Sequence, residues 1–304
     1  MEFSRRIYGY CERGFGPGPG ADAFWAEPWN AITNGAFILA AILGLALAIG
    51  NRRLDGPVSW LIFLTFCVGV GSFLFHTYAV VWAAMSDTIP ILIFILSYFA
   101  ISMRCYGGFG WGRSLALMTS FLVLLIATST VLRYGLDSFP GAIDVLRYEG
   151  EEDYARRAGG LVVLMVLTVL AARFVLGSLV GMGFAGSVGV TLLWVVVISL
   201  LSEAATATIP RIFPGMQSYL PALMALGGVG LWLALRGHPA GRWLLVVAAV
   251  FAVSLTARAL DRPLCANFLM GTHWVWHVLN GVVLGSLIIA LIRHGTGKGQ
   301  TSPA

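Results

Sequence analysis

The chain has 304 residues, of which 58% are hydrophobic and 11% charged, with a mean hydropathy of +0.85. A soluble domain carries roughly 25% charged residues, so this composition excludes an ordinary water-soluble globule and defines an integral membrane protein. The formal net charge of +5 is spread over short loops and builds no basic patch, so nucleic acid is not an expected partner.

In chain order, residues 1–29 form an N-terminal segment whose first 20 residues are basic and Gly-rich. Its first 20 residues lack the apolar core of a signal peptide, and the first apolar run follows Pro28. Nine apolar segments follow, each long enough to cross a hydrocarbon core of roughly 30 Å. They cover about 30–49, 57–77, 86–104, 114–134, 159–177, 183–202, 216–235, 241–260 and 271–292. A membrane domain over 30–293 is expected, all-α and multi-pass, in the cell membrane. Only a short Gly-rich turn separates 159–177 from 183–202. The stretch 137–157 holds six acidic residues (Asp137, Asp144, Glu149, Glu151, Glu152, Asp153) and reads as a solvated loop or surface helix. Residues 294–304 have the composition of a disordered tail. The basic residues are 18 Arg and Lys298, and the four cysteines (Cys11, Cys67, Cys105, Cys265) show no CxxC spacing.

Polar groups inside the apolar segments carry the chemical information. His273 and His277 open the last segment as H-W-V-W-H, and i, i+4 spacing puts both rings on one helix face. Trp274 and Trp276 beside them leave an interfacial aromatic belt as the competing reading. His76 closes the second segment, with Ser72 one turn before it. A third histidine added to the pair would complete a three-ligand zinc site with one open position. Ser72 reads either as a serine bonded back to a helix carbonyl or as a donor to a substrate carbonyl. Asp87, in S-D-T, reads as a helix N-cap or as the carboxylate that holds or deprotonates a water at the metal. It is the sole carboxylate between Asp55 and Asp137.

Parity links these residues. With the N-terminus on face A, segment two returns to A with Ser72 and His76, and segment three leaves A with Asp87. The last segment also starts on A if the number of crossings is odd, seven or nine; eight would scatter the set. Glu27 and Asn30 fall on A as well. Lys and Arg divide 10 to 9 between the faces, which gives no orientation by the positive-inside rule.

Assembled in this order, the residues resemble the alkaline ceramidase family, intramembrane zinc hydrolases related more distantly to the adiponectin and progestin receptor family. The matching pieces are Y-C-E (Tyr10 to Glu12), A-E-P-W-N (Ala26 to Asn30) and S-F-L-F-H (Ser72 to His76). Further along come S-D-T-I-P (Ser86 to Pro90), Y-L-P-A-L (Tyr219 to Leu223) and G-T-H-W-V-W-H (Gly271 to His277). The resemblance implies a seven-helix bundle, here with a two-helix insertion within 106–205. It also implies zinc on His76, His273 and His277, Ser72 assisting the substrate carbonyl and Asp87 activating the water. The implied reaction is hydrolysis of the ceramide amide to a sphingoid base and a fatty acid, with the lipid substrate drawn from the bilayer. Animal-type relatives also carry calcium. Glu12 and Glu27 match that site, but Gly9 and Gly14 stand where further oxygen ligands are expected, and since calcium favours six to eight oxygens the site is poor unless Asp22 or backbone carbonyls help. Family members can bridge the N-terminal segment to a late loop, which here would pair Cys11 with Cys265. The competing functions are a receptor-like or scaffold membrane protein with a structural zinc, and a haem-binding redox protein using His76 and one of the pair.

Overall fold

The computed structural model describes residues 3–134, 151–208 and 218–295. Its elements are α1 (Pro28–Thr33), α2 (Gly35–Gly50), α3 (Gly56–Tyr78), α4 (Val81–Cys105) and α5 (Trp111–Tyr134). They continue with α6 (Glu151–Val180), α7 (Phe184–Thr208), α8 (Leu220–Leu235), α9 (Pro239–Leu264) and α10 (His273–His294). Among the described residues the sole β features are two isolated bridges, Arg6 with Val80 and Tyr10 with Gly14. The chain forms two compact units, Met1–Gly110 with Ala222–Ala304, and Trp111–Pro221.

The helices follow the apolar segments, with differences at their ends. Among the described residues six are long and apolar enough to cross a membrane, or seven if a bent pair counts as one span: Pro28–Gly50 (α1 and α2 in succession), α3, α4, Trp111–Thr128 of α5, α9 and α10 make the six. The segments 159–177 and 183–202 become a bent pair, Val166–Val180 and Phe184–Trp194, with 116° between them. That angle fits one broken span or a re-entrant loop better than two independent crossings. Helix α8 has 16 residues, short for a bilayer crossing. Of the acidic stretch, residues 137–150 lie outside the described residues and 151–157 open α6. Residues 296–304 of the tail also lie outside them.

Local chemistry sets several boundaries. Asp55 accepts the Val58 N–H at 3.1 Å and Pro57 occupies the first turn of α3, a strong start signal. Ala79 ends that helix in the left-handed region at φ 46°. The N-terminal strap then pairs with the chain beyond it, Ile7 N–H to the Ala79 carbonyl at 2.8 Å and Val81 N–H to the Arg5 carbonyl at 3.2 Å. Because the strap supplies those partners, α4 starts at Val81, five residues before the expected 86. Asp87 therefore sits within the helix and does not cap it.

Two glycines let helices approach where functional residues lie. A Cβ on Gly71 would run into the Ser86 carbonyl of α4, and one on Gly281 would lie 2.9 Å from Ala36 of α2. The first contact lays Ser72 against Asp87, and the second lays the His277 face of α10 against the end of α1. His76 ends α3 and His273 opens α10, yet their ring centroids are 5.2 Å apart. The two helix ends share one side, as an odd number of crossings requires.

Candidate metal centre

His76, His273 and His277 converge: one ring nitrogen from each lies within 4.8 Å of the others. Ring centroids are 4.7 Å apart for His76 and His277 and 4.6 Å for His273 and His277. All three are buried, at 1%, 1% and 0% exposure, so the pair is not an interfacial belt. Among the described residues this is the one group of three or more such side chains able to hold a metal.

The hydrogen bonds assign the free nitrogens. His76 Nδ1 lies 2.5 Å from Glu27 Oε2, so a neutral ring donates there and its lone pair is on Nε2. Thr33 directs its hydroxyl proton to the Trp29 carbonyl at 2.7 Å. Its oxygen, 3.1 Å from His277 Nδ1, therefore accepts from that ring and again leaves Nε2 free. His76 Nε2, His277 Nε2 and His273 Nδ1 are buried with no hydrogen-bond partner. Buried polar atoms without partners are costly, and three histidines that each keep one such nitrogen and whose rings converge have the donor set of a zinc site. Outer partners on the opposite ring nitrogen are the usual support of such ligands.

Ser72 and Asp87 complete the cluster. Asp87 faces Ser72 and lies within electrostatic reach of His76. Both are buried, and Ser72 Oγ and Asp87 Oδ1 also lack hydrogen-bond partners. Thr65 and Thr77 of the same helix bond back to the carbonyls of Leu61 and Phe73, at 2.8 and 2.9 Å; Ser72 does not, so the back-bonded reading of Ser72 is not realised.

Four residues support the site, two of them (Asp261 and Arg13) with no sequence signal of their own. Tyr10 stacks on His273 at 3.9 Å, and Trp276 stacks on it at 5.1 Å. Asp261 of α9 accepts the backbone N–H groups that open α10. Arg13 is fully buried and donates to Glu27 Oε1 at 2.6 Å. Burial pushes the Glu27 carboxyl upward, but His76 and Arg13 outweigh that and hold it below the ordinary carboxylate range. Glu12, the other candidate calcium ligand, accepts the N–H groups of Trp29 and Asn30 at 2.7 and 2.8 Å and so caps α1. Cys11 and Cys265 are joined by a disulfide, with Cα atoms 5.4 Å apart.

An all-helical chain with several membrane-length helices and a buried trio of histidine nitrogens belongs to the class of multi-pass membrane proteins with a metal-competent centre. Residues 9–146, a little under half of the chain, match the family model described as Ceramidase. The match holds His76, Ser72 and Asp87 but ends before His273 and His277; the fold alone brings those two to the others. No curated protein and no solved structure matches the chain.

Proposed function

We propose that this protein is a zinc-dependent membrane amidohydrolase that cleaves the N-acyl amide of ceramide-like lipids, giving a sphingoid base and a fatty acid. The ceramidase match over residues 9–146 supports a ceramide-hydrolysing membrane enzyme. One observation carries the rest: five buried polar atoms of His76, His273, His277, Ser72 and Asp87 lack partners in one region of the fold. Three are ligand nitrogens, one is a hydroxyl and one is a carboxylate oxygen, the inventory needed for metal-assisted amide hydrolysis.

His76, His273 and His277 would hold the zinc through the ring nitrogens left without partners. When bound, the metal supplies Lewis acidity, which polarises a carbonyl and makes a water acidic near neutral pH. Asp87 Oδ1 orients the attacking water, takes its proton as it adds to the amide carbon, and delivers that proton to the departing nitrogen. Ser72 Oγ donates to the carbonyl oxygen as negative charge develops there. Glu27 and Thr33 fix the tautomers of His76 and His277, and Tyr10 and Trp276 hold the His273 ring from its faces. Both lipid chains can stay in the bilayer while the amide reaches the buried centre, which fits a multi-pass membrane enzyme.

The three rings lie too close together to admit a porphyrin between any two of them, which argues against a haem protein. The test is incubation of purified protein with a panel of N-acyl lipids, with and without a zinc chelator, followed by product analysis. Chelator-sensitive release of fatty acid from ceramide is expected. A protein that holds zinc fully and hydrolyses no N-acyl lipid is instead a scaffold or receptor with a structural metal.

A further inference from the structure

The family resemblance implies calcium near Glu12 and Glu27, and the residues present do not fit it. Glu12 gives both its oxygens to the amides of Trp29 and Asn30. Glu27 gives Oε1 to Arg13 and Oε2 to His76 and to Asn30 Nδ2. A calcium ion wants six to eight oxygens, and the oxygens in reach are already gathered around a cation. The Arg13 guanidinium donates to Glu27 Oε1 at 2.6 Å, to the Ala21 and Ala23 carbonyls at 2.6 and 3.4 Å, and to the His76 and Thr77 carbonyls at 3.0 and 3.3 Å. Its side chain is completely buried.

That cage links three parts of the chain: the N-terminal strap, the loop before α1, and the last turn of α3 that carries His76. The two α3 carbonyls are among those a helix end leaves without partners, and a cation there is favoured by the helix dipole. Arginine suits the place because its planar fork satisfies several oxygens at once and stays charged at every accessible pH. A divalent ion in the same cage would meet a like charge in a low-dielectric site.

We propose that the Arg13 guanidinium is this chain's resident replacement for a calcium ion, and that it positions His76 by holding Glu27 against the Nδ1 side of the ring. The positioning half rests on the reading of His76 as a zinc ligand. The protein folds and keeps its zinc without calcium, and loss of the Arg13 charge frees Glu27 and slackens the ring.

Calcium is titrated by calorimetry into calcium-depleted wild-type protein in detergent, and Tm and zinc Kd are measured for wild type, Arg13→Gln and Arg13→Lys. No calcium binding and no calcium-dependent Tm are expected for wild type. Arg13→Gln should lower Tm and weaken zinc binding by about 10–100-fold, the usual effect of losing support behind a ligand. Arg13→Lys, which keeps the charge but not the fork, should fall between. Calcium binding by wild type with a rise in Tm overturns the proposal, as does wild-type zinc affinity in Arg13→Gln. If Arg13→Gln does not fold, the wild-type titration and an Arg13→Lys zinc Kd equal to or weaker than wild type decide in the same way: equality overturns, weakening supports. Wild type that binds neither metal overturns the zinc reading and supports the calcium replacement, so the two failures are separable.

Discussion

Asp261 Oδ1 accepts the backbone N–H of His273 at 3.0 Å, so a carboxylate on one helix caps the helix that begins with a metal-ligand candidate. The same oxygen takes the Thr272 N–H at 2.8 Å, and Oδ2 takes the Cys11 N–H at 3.1 Å. Asp261 thus ties the strap and the start of α10 to α9. Asp261→Ala leaves two buried amides and one part-buried amide without an acceptor and is expected to destabilise the protein by about 1–3 kcal/mol, read as a fall in Tm. Asp261→Asn keeps an acceptor oxygen and should lose less. Equal Tm values for wild type and Asp261→Ala would remove Asp261 from the support of the site.

Zinc content should depend on each histidine. Wild type is expected to carry about one zinc per chain, and His76→Ala or His277→Ala to lose most of it on dialysis. Metal analysis of the purified proteins checks this, with helix content by circular dichroism as the control. Full zinc in His277→Ala would dismantle the three-ligand site.

Asp87 and Ser72 should separate chemistry from metal binding. Asp87→Asn is expected to retain zinc and to lower kcat on ceramide by about 10²–10⁴-fold, the range for loss of a general acid–base group. Ser72→Ala should also retain zinc and lose about 10²–10³-fold, as for removal of one donor to a developing oxyanion. Unchanged turnover in either variant excludes the role given to that residue.

The Cys11–Cys265 disulfide closes a loop of 254 residues in sequence separation. Thiol counting under denaturing, non-reducing conditions should find two free cysteines, Cys67 and Cys105, and four after reduction. Cys11→Ser is expected to cost about 2–5 kcal/mol, read in Tm. A bridge found intact in the purified protein would put the end of the bundle that carries it on the oxidising side of the membrane, an orientation that the even spread of basic residues leaves open. Four reactive thiols in the unreduced protein would exclude both statements.

At the α3–α4 contact, Gly71→Ala forces a methyl into the Ser86 carbonyl. Overpacking of this kind costs about 1–3 kcal/mol or more, and here it also separates Ser72 from Asp87. A loss of kcat larger than the loss of folded protein is expected; a fully active, equally stable variant would show that the helices need not approach so closely.

Much of this was legible in one dimension. Hydropathy gave an all-helical membrane protein, because a spanning helix must be continuously apolar over its length. Parity and i, i+4 spacing gathered His76, His273 and His277 on one side, since a bilayer reduces topology to counting crossings. The count itself stayed soft: the segments 159–177 and 183–202 form a pair bent by 116°, and a run of apolar residues looks the same whether it crosses or folds back.

What the sequence could not fix were partners distant in the chain. Arg13 reaches carbonyls 63 and 64 residues away, and Asp261 reaches an amide 250 residues away; no local period encodes such pairs. Asp87 in S-D-T has the pattern of a cap, and only the strap pairing beyond Ala79, which starts α4 at Val81, makes it a buried helix residue. Nothing in the sequence places Arg13 beside Glu27, the pair that packing forms at 2.6 Å. The amino-acid sequence determined a membrane-embedded helical protein with three histidines on one side, because apolar length and spacing are properties of a linear string. Tertiary structure decided which ring nitrogens are free, which carboxylates are already paired and which cation sits among them, because burial makes every polar atom find a partner or stand open for one.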